Sequence, residues 1–276
     1  MKIKQLLQVG SLLLNKIEGG NLDARLLLEH TLNFTQKELF LNLHKPADNS
    51  QVVKYLLLIR KRKAKMPVAK IIGSKEFYGL TFKTSTATLD PRPDSETLIE
   101  AICKVYNSND NLRVLELGVG SGCLIITLLT LFSNMKGVAV DASKKALNIA
   151  KENAKNHKVS NRLHLIESNW FSKVVGKFDI IISNPPYIPN NEVLAKELSY
   201  EPSLALFAGS DGLDAYSLII PKMASFLNKN GRVFLEIGFG QKEKVEEIIT
   251  QNGFLLQKVH KDLSGIERCL EFAMAK

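Results

Sequence analysis

Short apolar runs alternate with longer helical stretches through the last two thirds of the chain. Five of these runs are typical of strands, at 113–117, 137–141, 163–167, 178–183 and 232–237. Because strand–helix alternation brings successive strands parallel to one another, it favours a doubly wound sheet. The last two runs, 254–260 and 266–273, leave no room for a helix between them, so they are expected to lie antiparallel. The pattern predicts an α/β fold from about residue 91 onward.

The first of these strands runs into a glycine-rich turn and then into an apolar helix that begins at Cys123. Glycine lets the backbone turn tightly and lets a ligand approach the main chain closely. A dinucleotide fingerprint would require glycine at 123, which this chain lacks. The next strand ends in Asp141, a residue that can accept both hydroxyls of a ribose. Nucleoside binding is predicted, and S-adenosylmethionine fits better than a nicotinamide cofactor. The candidate cofactor-binding residues are Gly118, Val119, Gly120, Ser121, Gly122 and Asp141.

A second motif, Asn184-Pro185-Pro186-Tyr187, follows the fourth strand. Its prolines stiffen the turn, and a stiff turn at the carboxyl end of a strand is a common place for a ligand site. The Asn184 side-chain carbonyl and nearby backbone carbonyls can accept both hydrogens of a planar –NH2 group, while the Tyr187 ring packs on its plane. All four residues are therefore candidate catalytic residues for chemistry at an amide or amine nitrogen. A rigid turn without chemistry is the alternative, and the glycine turn upstream argues against it.

These motifs together resemble the peptide chain release factor N5-glutamine methyltransferases, the PrmC/HemK family. The Asn184 loop alone is shared with adenine-N6 methyltransferases, whereas segments 91–97 and 201–206 are more specific to the glutamine enzymes. The chain departs from the family in small ways, with Glu116 where aspartate is more common and Asp90 before Pro91. The segments that carry the resemblance are 91–97, 118–122, Asp141, 168–171, 184–187, 200–206, 209–213 and 262–265.

The resemblance implies a Rossmann-like, seven-stranded class I methyltransferase domain dependent on S-adenosylmethionine, over residues 91–276. It also implies a helical-bundle domain over 1–73 that helps to recognise the substrate, joined by a β-hairpin linker over 74–90. The implied reaction methylates the glutamine of the Gly-Gly-Gln motif in class I release factors. Asn184 then also contacts the cofactor, and Trp170 lies near its adenine, although core packing is the usual role of a lone tryptophan.

Three other functions stay open from the residues alone. One is methylation of another protein glutamine, for example on a ribosomal protein. Another is methylation of adenine N6 in nucleic acid, although the short helical front end has few aromatic residues to stack on bases. The third is a non-catalytic, translation-associated binding module. The presence of both the glycine turn and the Asn184 loop argues against that module.

The first 73 residues carry apolar positions at helical spacing. One helix is predicted around 22–32 with Asn21 or Asp23 as its cap, and a short one follows a Thr35 cap. A longer helix over 52–65 is predicted to begin at Ser50 and to stop before Pro67. It carries a basic run at 60–65, which is either a solvated helix face or a docking surface for an acidic partner.

Charge and cysteine content limit the remaining choices. The net charge of +9 suggests an acidic or nucleic-acid-bearing partner, although a generally basic proteome explains it equally well. Cys103, Cys123 and Cys269 show no metal-ligand spacing and no disulfide framework, so no metal site and a reducing cytoplasm are expected. No stretch is long and apolar enough to span a bilayer. We expect a cytoplasmic monomer that requires neither a membrane nor direct contact with nucleic acid.

Overall fold

The computed structural model describes residues 1–275, and Lys276, the last residue of the predicted methyltransferase domain, lies outside the described residues. The chain divides into two compact units. The first comprises Met1–Ser74 and Ala195–Tyr200, and the second comprises Lys75–Leu194 and the chain from Glu201 onward. Residues 195–200 thus group with the first unit, whereas the sequence interpretation assigned them to the methyltransferase domain.

The first unit is a small bundle of helices. They are α1 (Ile3–Leu13), α2 (Gly20–Leu32), α3 (Gln36–Leu41), α4 (Asn49–Lys63) and α5 (Val68–Ile72). The apolar positions at helical spacing are buried against one another, among them Leu6, Leu27 and Ile59. Gly10 lets α1 approach α4, because a side chain at that position would overlap the buried Tyr55 hydroxyl. That hydroxyl donates a hydrogen bond to the Ala24 carbonyl at 3.1 Å.

Two helix starts in this unit show how side chains compete for the capping position. The predicted Thr35 cap is confirmed, since its hydroxyl accepts the Glu38 N–H and the Glu38 carboxylate accepts the Thr35 N–H in return. The predicted Ser50 cap of the long helix is wrong. Asp48 caps α4 instead, accepting the Gln51 N–H at 2.8 Å, while the Ser50 hydroxyl donates to the same carboxylate.

The predicted caps of α2 are also wrong, for a tertiary reason. The helix begins after Gly19, which has a φ of 71°, and Asn21 and Asp23 lie within its first turn. The Asp23 carboxylate pairs with Arg62 at 2.6 Å, and the Arg62 guanidinium also lies 3.6 Å from Glu197. The basic run is therefore not a uniformly solvated face, because Arg62 points inward and is neutralised within the unit. Helix α4 ends at Lys63, four residues before Pro67.

The second unit opens with a hairpin, whose first residue, Ser74, groups with the first unit, and then builds a seven-stranded sheet. Strands β1 (Ser74–Phe77) and β2 (Leu80–Lys83) are joined by Tyr78 and Gly79, whose φ angles of 51° and 73° suit a two-residue hairpin turn. The sheet consists of β3 (Arg113–Leu117), β4 (Lys136–Asp141), β5 (Leu163–Glu167), β6 (Phe178–Ser183), β7 (Leu227–Glu236), β8 (Phe254–Lys261) and β9 (Glu267–Met274).

The strand order is β5-β4-β3-β6-β7-β9-β8, and the five strands from β3 to β7 are parallel. Strand β9 is antiparallel to both β7 and β8, which confirms the predicted closing pair. Strand β7 begins five residues earlier than the predicted run, because Leu227 pairs with Phe178 before an irregularity in the register. The predicted Rossmann-like fold is confirmed.

Within residues 1–275, five α-helices cover the two faces of this sheet. They are α6 (Glu96–Val105), α7 (Cys123–Leu131), α8 (Lys144–Asn156), α9 (Asp214–Phe226) and α10 (Lys242–Gln251). Alternate residues of β3 enter two separate cores, Val114 on the side of α6–α8 and Leu115 on the side of α9 and α10. Burial on both faces explains the continuous apolar runs in the sequence. Since the chain order reverses between β3 and β6, their carboxyl ends form the crevice where such sheets bind ligands.

Candidate active site

A cavity of about 480 Å³ lies at the carboxyl ends of the central strands. Its volume falls within the range of small-molecule sites, roughly 300–1,000 Å³. Of the residues that the sequence singled out, the cavity is lined by Gly118, Val119, Gly120, Ser121, Asp141, Trp170, Asn184 and Pro186. Gly122, Pro185 and Tyr187 are not among its lining residues. The glycine turn and the Asn184 loop, 62 residues apart when counted from Gly122, thus meet at one cavity.

The glycine turn is shaped by positive backbone angles. Gly118, Gly120 and Gly122 have φ values of 75°, 54° and 81°, a region that other residues rarely adopt. The N–H groups of Gly118 and Val119 both donate to the Val140 carbonyl at 2.9 Å, so the turn is tied to the neighbouring strand. A Cβ on Gly120 would meet no protein atom within 4 Å. The turn therefore lets a ligand approach the backbone closely at Gly120. It offers few free N–H donors, because those of Gly118 and Val119 are already bonded.

Packing beneath the turn holds it in place. Gly122 precedes α7 with a φ of 81°, which disfavours other residues, and a Cβ there would lie 2.8 Å from the end of the Ile126 side chain. The buried Asn153 side chain donates to the Ser121 carbonyl at 2.8 Å and bonds both the N–H and the carbonyl of Lys83. Sequence reasoning missed Asn153, whose only signal is an amide on the apolar face of α8.

Asp141, the residue predicted to bind a ribose, lines the cavity beside the glycine turn. Its Oδ2 accepts the Gly120 N–H at 2.9 Å, and its Oδ1 accepts the Ser143 N–H at 2.8 Å. Burial raises the pKa of this carboxyl, and the two backbone hydrogen bonds oppose that rise. Each carboxylate oxygen keeps a second lone pair. The geometry thus leaves acceptors for a diol while the protein fixes the orientation of the carboxylate.

Glu116, at the end of β3, is a buried acid in the wall of the cavity. Its Oε2 accepts the Ile125 N–H at 3.1 Å, which satisfies one of the donors at the start of α7. Burial raises the pKa of Glu116 well above its usual value, and the nearby Asp141 raises it further. This residue therefore supports the turn from below, at the position where the family resemblance is weaker.

Trp170 is both a core residue and a wall of the cavity. It packs partly against the core on the α9 side, and its ring lies 3.7 Å from where a Cβ on Gly118 would be. Its φ of 50° is unusual for a tryptophan. The Ser168 hydroxyl donates to the Trp170 carbonyl at 2.9 Å and accepts the Lys173 N–H at 3.0 Å, which holds the strained turn.

A chain of hydrogen bonds runs from the Asn184 loop to a buried acid. Asn184 Nδ2 donates to the Ser95 hydroxyl at 3.0 Å, and that hydroxyl donates to Glu236 Oε2 at 2.5 Å. The Tyr187 hydroxyl donates to Glu236 Oε1 at 3.3 Å, and the Tyr187 carbonyl accepts from Gln241 at 3.0 Å. The Tyr187 ring is thus anchored by its hydroxyl behind the cavity wall.

Sequence reasoning assigned no role to Ser95 or Glu236. Ser95 lies within the segment 91–97 that carries the family resemblance, and Glu236 ends the apolar run of β7. A glutamate that closes a buried strand is itself a signal, because a carboxyl group is seldom fully buried without a partner.

Residues 1–275 contain no helix that is long and apolar enough to cross a membrane. The same residues hold no His, Cys, Asp and Glu cluster that could bind a metal ion.

Curated relatives match the chain over most of its length. The release factor glutamine methyltransferase of Agrobacterium fabrum (strain C58) is 37% identical over 257 residues, covering 91% of this chain and 89% of that protein. The chain belongs to the release factor glutamine methyltransferase family. Two family models agree with this assignment, the PrmC N-terminal domain over residues 5–73 and the methyltransferase small domain over residues 85–200. Proteins of this family use S-adenosylmethionine as the methyl donor.

Other relatives of this chain are longer proteins. The bifunctional methyltransferase of Rickettsia conorii is 37% identical over 301 residues, which is 98% of this chain but 57% of that protein. The chain therefore spans little more than half the length of that relative. Among solved structures, a methyltransferase from Pyrococcus furiosus aligns with a TM-score of 0.56 at 18% identity, covering 80% of this chain and 98% of its own. That likeness shows the fold.

Proposed function

We propose that this protein transfers the methyl group of S-adenosylmethionine to the side-chain nitrogen of the glutamine in the Gly-Gly-Gln motif of class I release factors. The observation that carries the proposal is that Gly120, Asp141 and Asn184 line one cavity at the switch point of the sheet. The proposed cofactor site and the loop proposed to hold a planar amide would therefore share a single space. Family membership supplies the identity of the substrate, since the relatives of matching length are release factor glutamine methyltransferases.

The cavity suits the cofactor in both shape and donor chemistry. Gly120 leaves open space beside the backbone, Asp141 offers oxygen acceptors to a ribose, and Trp170 offers a flat ring for the adenine. The carboxyl of Glu116 and the turn over 118–122 would face the methionine end. When bound, S-adenosylmethionine supplies a methyl group on a positively charged sulfur, which is a good leaving group.

The difficult partner in the reaction is the glutamine amide, whose nitrogen lone pair is delocalised into its carbonyl. In the proposed mechanism, Asn184 Oδ1 and the Pro185 carbonyl accept the two N–H bonds of that amide; of these two residues, Asn184 lines the cavity and Pro185 does not. Their negative ends aim the nitrogen at the methyl group and stabilise the positive charge that develops on it, so positioning and electrostatics carry the reaction. Tyr187, whose hydroxyl donates a hydrogen bond to Glu236, holds the loop rigid. No general base is assigned within the loop, so the proton that the methylated nitrogen must lose would pass to water.

The partner is proposed to be a class I release factor met in the cytoplasm, with the first unit contributing to its recognition. The PrmC N-terminal domain match over residues 5–73 supports that role for the bundle. A monomer is sufficient in this account, because all the site residues come from one chain.

The test is transfer of labelled methyl from S-adenosylmethionine to purified release factor. A release factor with the motif Gln changed to Ala, total ribosomal protein, and bulk DNA and RNA are run in parallel. The proposal predicts label on the release factor only, and none on the Gln→Ala variant. Label on a ribosomal protein or on nucleic acid would replace it with one of the alternative substrates. Cofactor binding without transfer to any of these would contradict it.

A further inference from the structure

Glu236, the buried acid behind the Asn184 loop, accepts a hydrogen bond from Ser95 that the proposed mechanism does not use. Glu236 is 1% exposed and does not line the cavity, whereas Ser95 and Asn184 both do. Its two carboxylate oxygens accept hydrogen bonds from the Ser95 and Tyr187 hydroxyls. Any effect of Glu236 on a substrate must therefore pass through another side chain.

The hydrogen-bond inventory of these groups permits few arrangements. A serine hydroxyl has a single proton, and an ionised carboxylate can only accept. With Glu236 ionised, the Ser95 proton points at the carboxylate, so Ser95 can only accept from Asn184. The Asn184 side chain must then present its NH2 group to Ser95 and its carbonyl oxygen to the cavity. That is the orientation in which Asn184 can accept an N–H bond from a substrate amide.

We propose that Glu236 is a positioning residue for Asn184, and that in its ionised form it fixes, through the Ser95 hydroxyl, the orientation of the Asn184 amide. The inference deepens the proposed function and rests on it for its catalytic consequence. A neutral Glu236 carries its own proton and can donate it to Ser95, which frees the Ser95 proton to turn toward Asn184. The Asn184 amide then gains by rotating its oxygen toward Ser95, and it turns its NH2 group toward the substrate.

The surroundings of Glu236 place this change in a useful pH range. Burial raises the pKa of Glu236 to about 7, opposed by the Ser95 hydrogen bond and by the charge of Arg268. The groups that face it from the surrounding elements are Arg268, Cys269, Asp94, Cys123, Tyr187 and Tyr216. Of these, Arg268 favours the ionised form and Asp94 opposes it. The oriented state of Asn184 is therefore gained as the pH rises through about 7.

The first test reads the orientation without any substrate. In the ¹⁵N-labelled full chain, the Asn184 side-chain NH2 signal is assigned by its loss in Asn184→Asp and followed between about pH 6 and pH 9. The proposal predicts a titration with a midpoint near 7 in the wild type and none in Glu236→Gln. An Asn184 signal that does not titrate, or that titrates equally in Glu236→Gln, would overturn it.

The second test measures turnover with release factor over the same pH range. In the wild type, kcat is predicted to fall about tenfold per pH unit below the midpoint. Ser95→Ala and Glu236→Gln should each lose at least about tenfold in kcat at high pH and lose this acid limb, with the Kd for S-adenosylmethionine within about threefold of wild type. Ser95→Thr, which keeps the hydroxyl, should restore the acid limb. Loss of cofactor affinity in step with kcat would instead indicate a structural role.

Two controls separate the relay from general damage. Glu271→Gln removes a different buried carboxylate, on β9, which bonds His260 and Arg232 and not Ser95. This variant should keep the acid limb, which is the fall in kcat below the midpoint pH. The double variant Ser95→Ala/Glu236→Gln should be no slower than either single variant, because the two residues act in one chain; multiplied losses would contradict the relay. If the wild type transfers no methyl to release factor, the proposed function fails, and the NMR titration still decides whether Glu236 orients Asn184.

Discussion

Gly120 provides the sharpest separation between folding and cofactor binding. Its φ of 54° is unfavourable for any residue with a Cβ, and a Cβ there would meet no protein atom within 4 Å. Since Gly120 lines the cavity, an added methyl group would project into the space assigned to the cofactor. Gly120→Ala is therefore predicted to lower stability only by the backbone strain, roughly 1–2 kcal/mol. It should weaken binding of S-adenosylmethionine by at least about tenfold, or about 1.4 kcal/mol.

Gly253 supplies a matched control for that strain. It has a φ of 77°, a Cβ there would also meet nothing within 4 Å, and it lies between α10 and β8, outside the cavity lining. Gly253→Ala should lower the melting temperature about as much as Gly120→Ala, by a few degrees at roughly 2–4 °C per kcal/mol. Its cofactor affinity in titration calorimetry should match wild type. If Gly120→Ala binds the cofactor as tightly as Gly253→Ala does, the cavity is not the cofactor site.

Three further predictions follow from individual contacts. Asn184→Ala should lower kcat for release factor by about 100- to 1,000-fold, because it removes an acceptor that acts on the developing charge. Calorimetry should find the cofactor affinity of this variant within a few-fold of wild type. Unchanged turnover would remove Asn184 from the mechanism. Because burial raises the pKa of Glu236 from 4.5 to about 7, its contribution to stability is fully present below pH 4.5 and is lost as the pH rises through 7. Denaturant titrations should therefore show wild type losing about 3 kcal/mol relative to Glu236→Gln across that window, and a constant difference would refute the shift. Gly10→Ala should destabilise the first unit by about 1–3 kcal/mol, because the added methyl group overlaps the Tyr55 hydroxyl. Tyr55→Phe alone should destabilise it by about 1 kcal/mol, because the hydrogen bond to the Ala24 carbonyl is lost. Hydrogen exchange over residues 3–63 measures both effects, and unchanged protection in Gly10→Ala would contradict the packing.

Local pattern was sufficient for the architecture of the second unit. The apolar runs became strands because both faces of the sheet are covered, and the glycine turn was recognisable because positive φ angles restrict residue choice to glycine. The closing antiparallel pair followed from chain length alone, since 261 and 267 leave no room for a crossover helix between β8 and β9. Each of these signals is written within a few consecutive residues.

The missed features depend on residues that are distant in sequence. Ser95 and Glu236 are 141 positions apart, and Asn153 reaches Lys83 across 70 positions, so no local periodicity records either contact. Distance also bears on the cap of α2, because the Asp23 carboxylate pairs with Arg62 on another helix. The error at α4 was local, since Asp48 stands two residues before Ser50 and takes the capping role. Sequence reasoning found eight of the residues that line the cavity, and it missed Ser95, which lines the cavity as well, and several residues that hold the lining in place.

Locating the transferred methyl group tests the central claim most directly. Release factor is incubated with this protein and S-adenosylmethionine, digested, and its Gly-Gly-Gln peptide is fragmented in a mass spectrometer. We expect a single added methyl group on the side-chain nitrogen of that glutamine, and far less of it when Asn184→Ala replaces the wild type for the same incubation time. A methyl group on any other residue of the release factor, or an unmodified glutamine after full incubation, would contradict it.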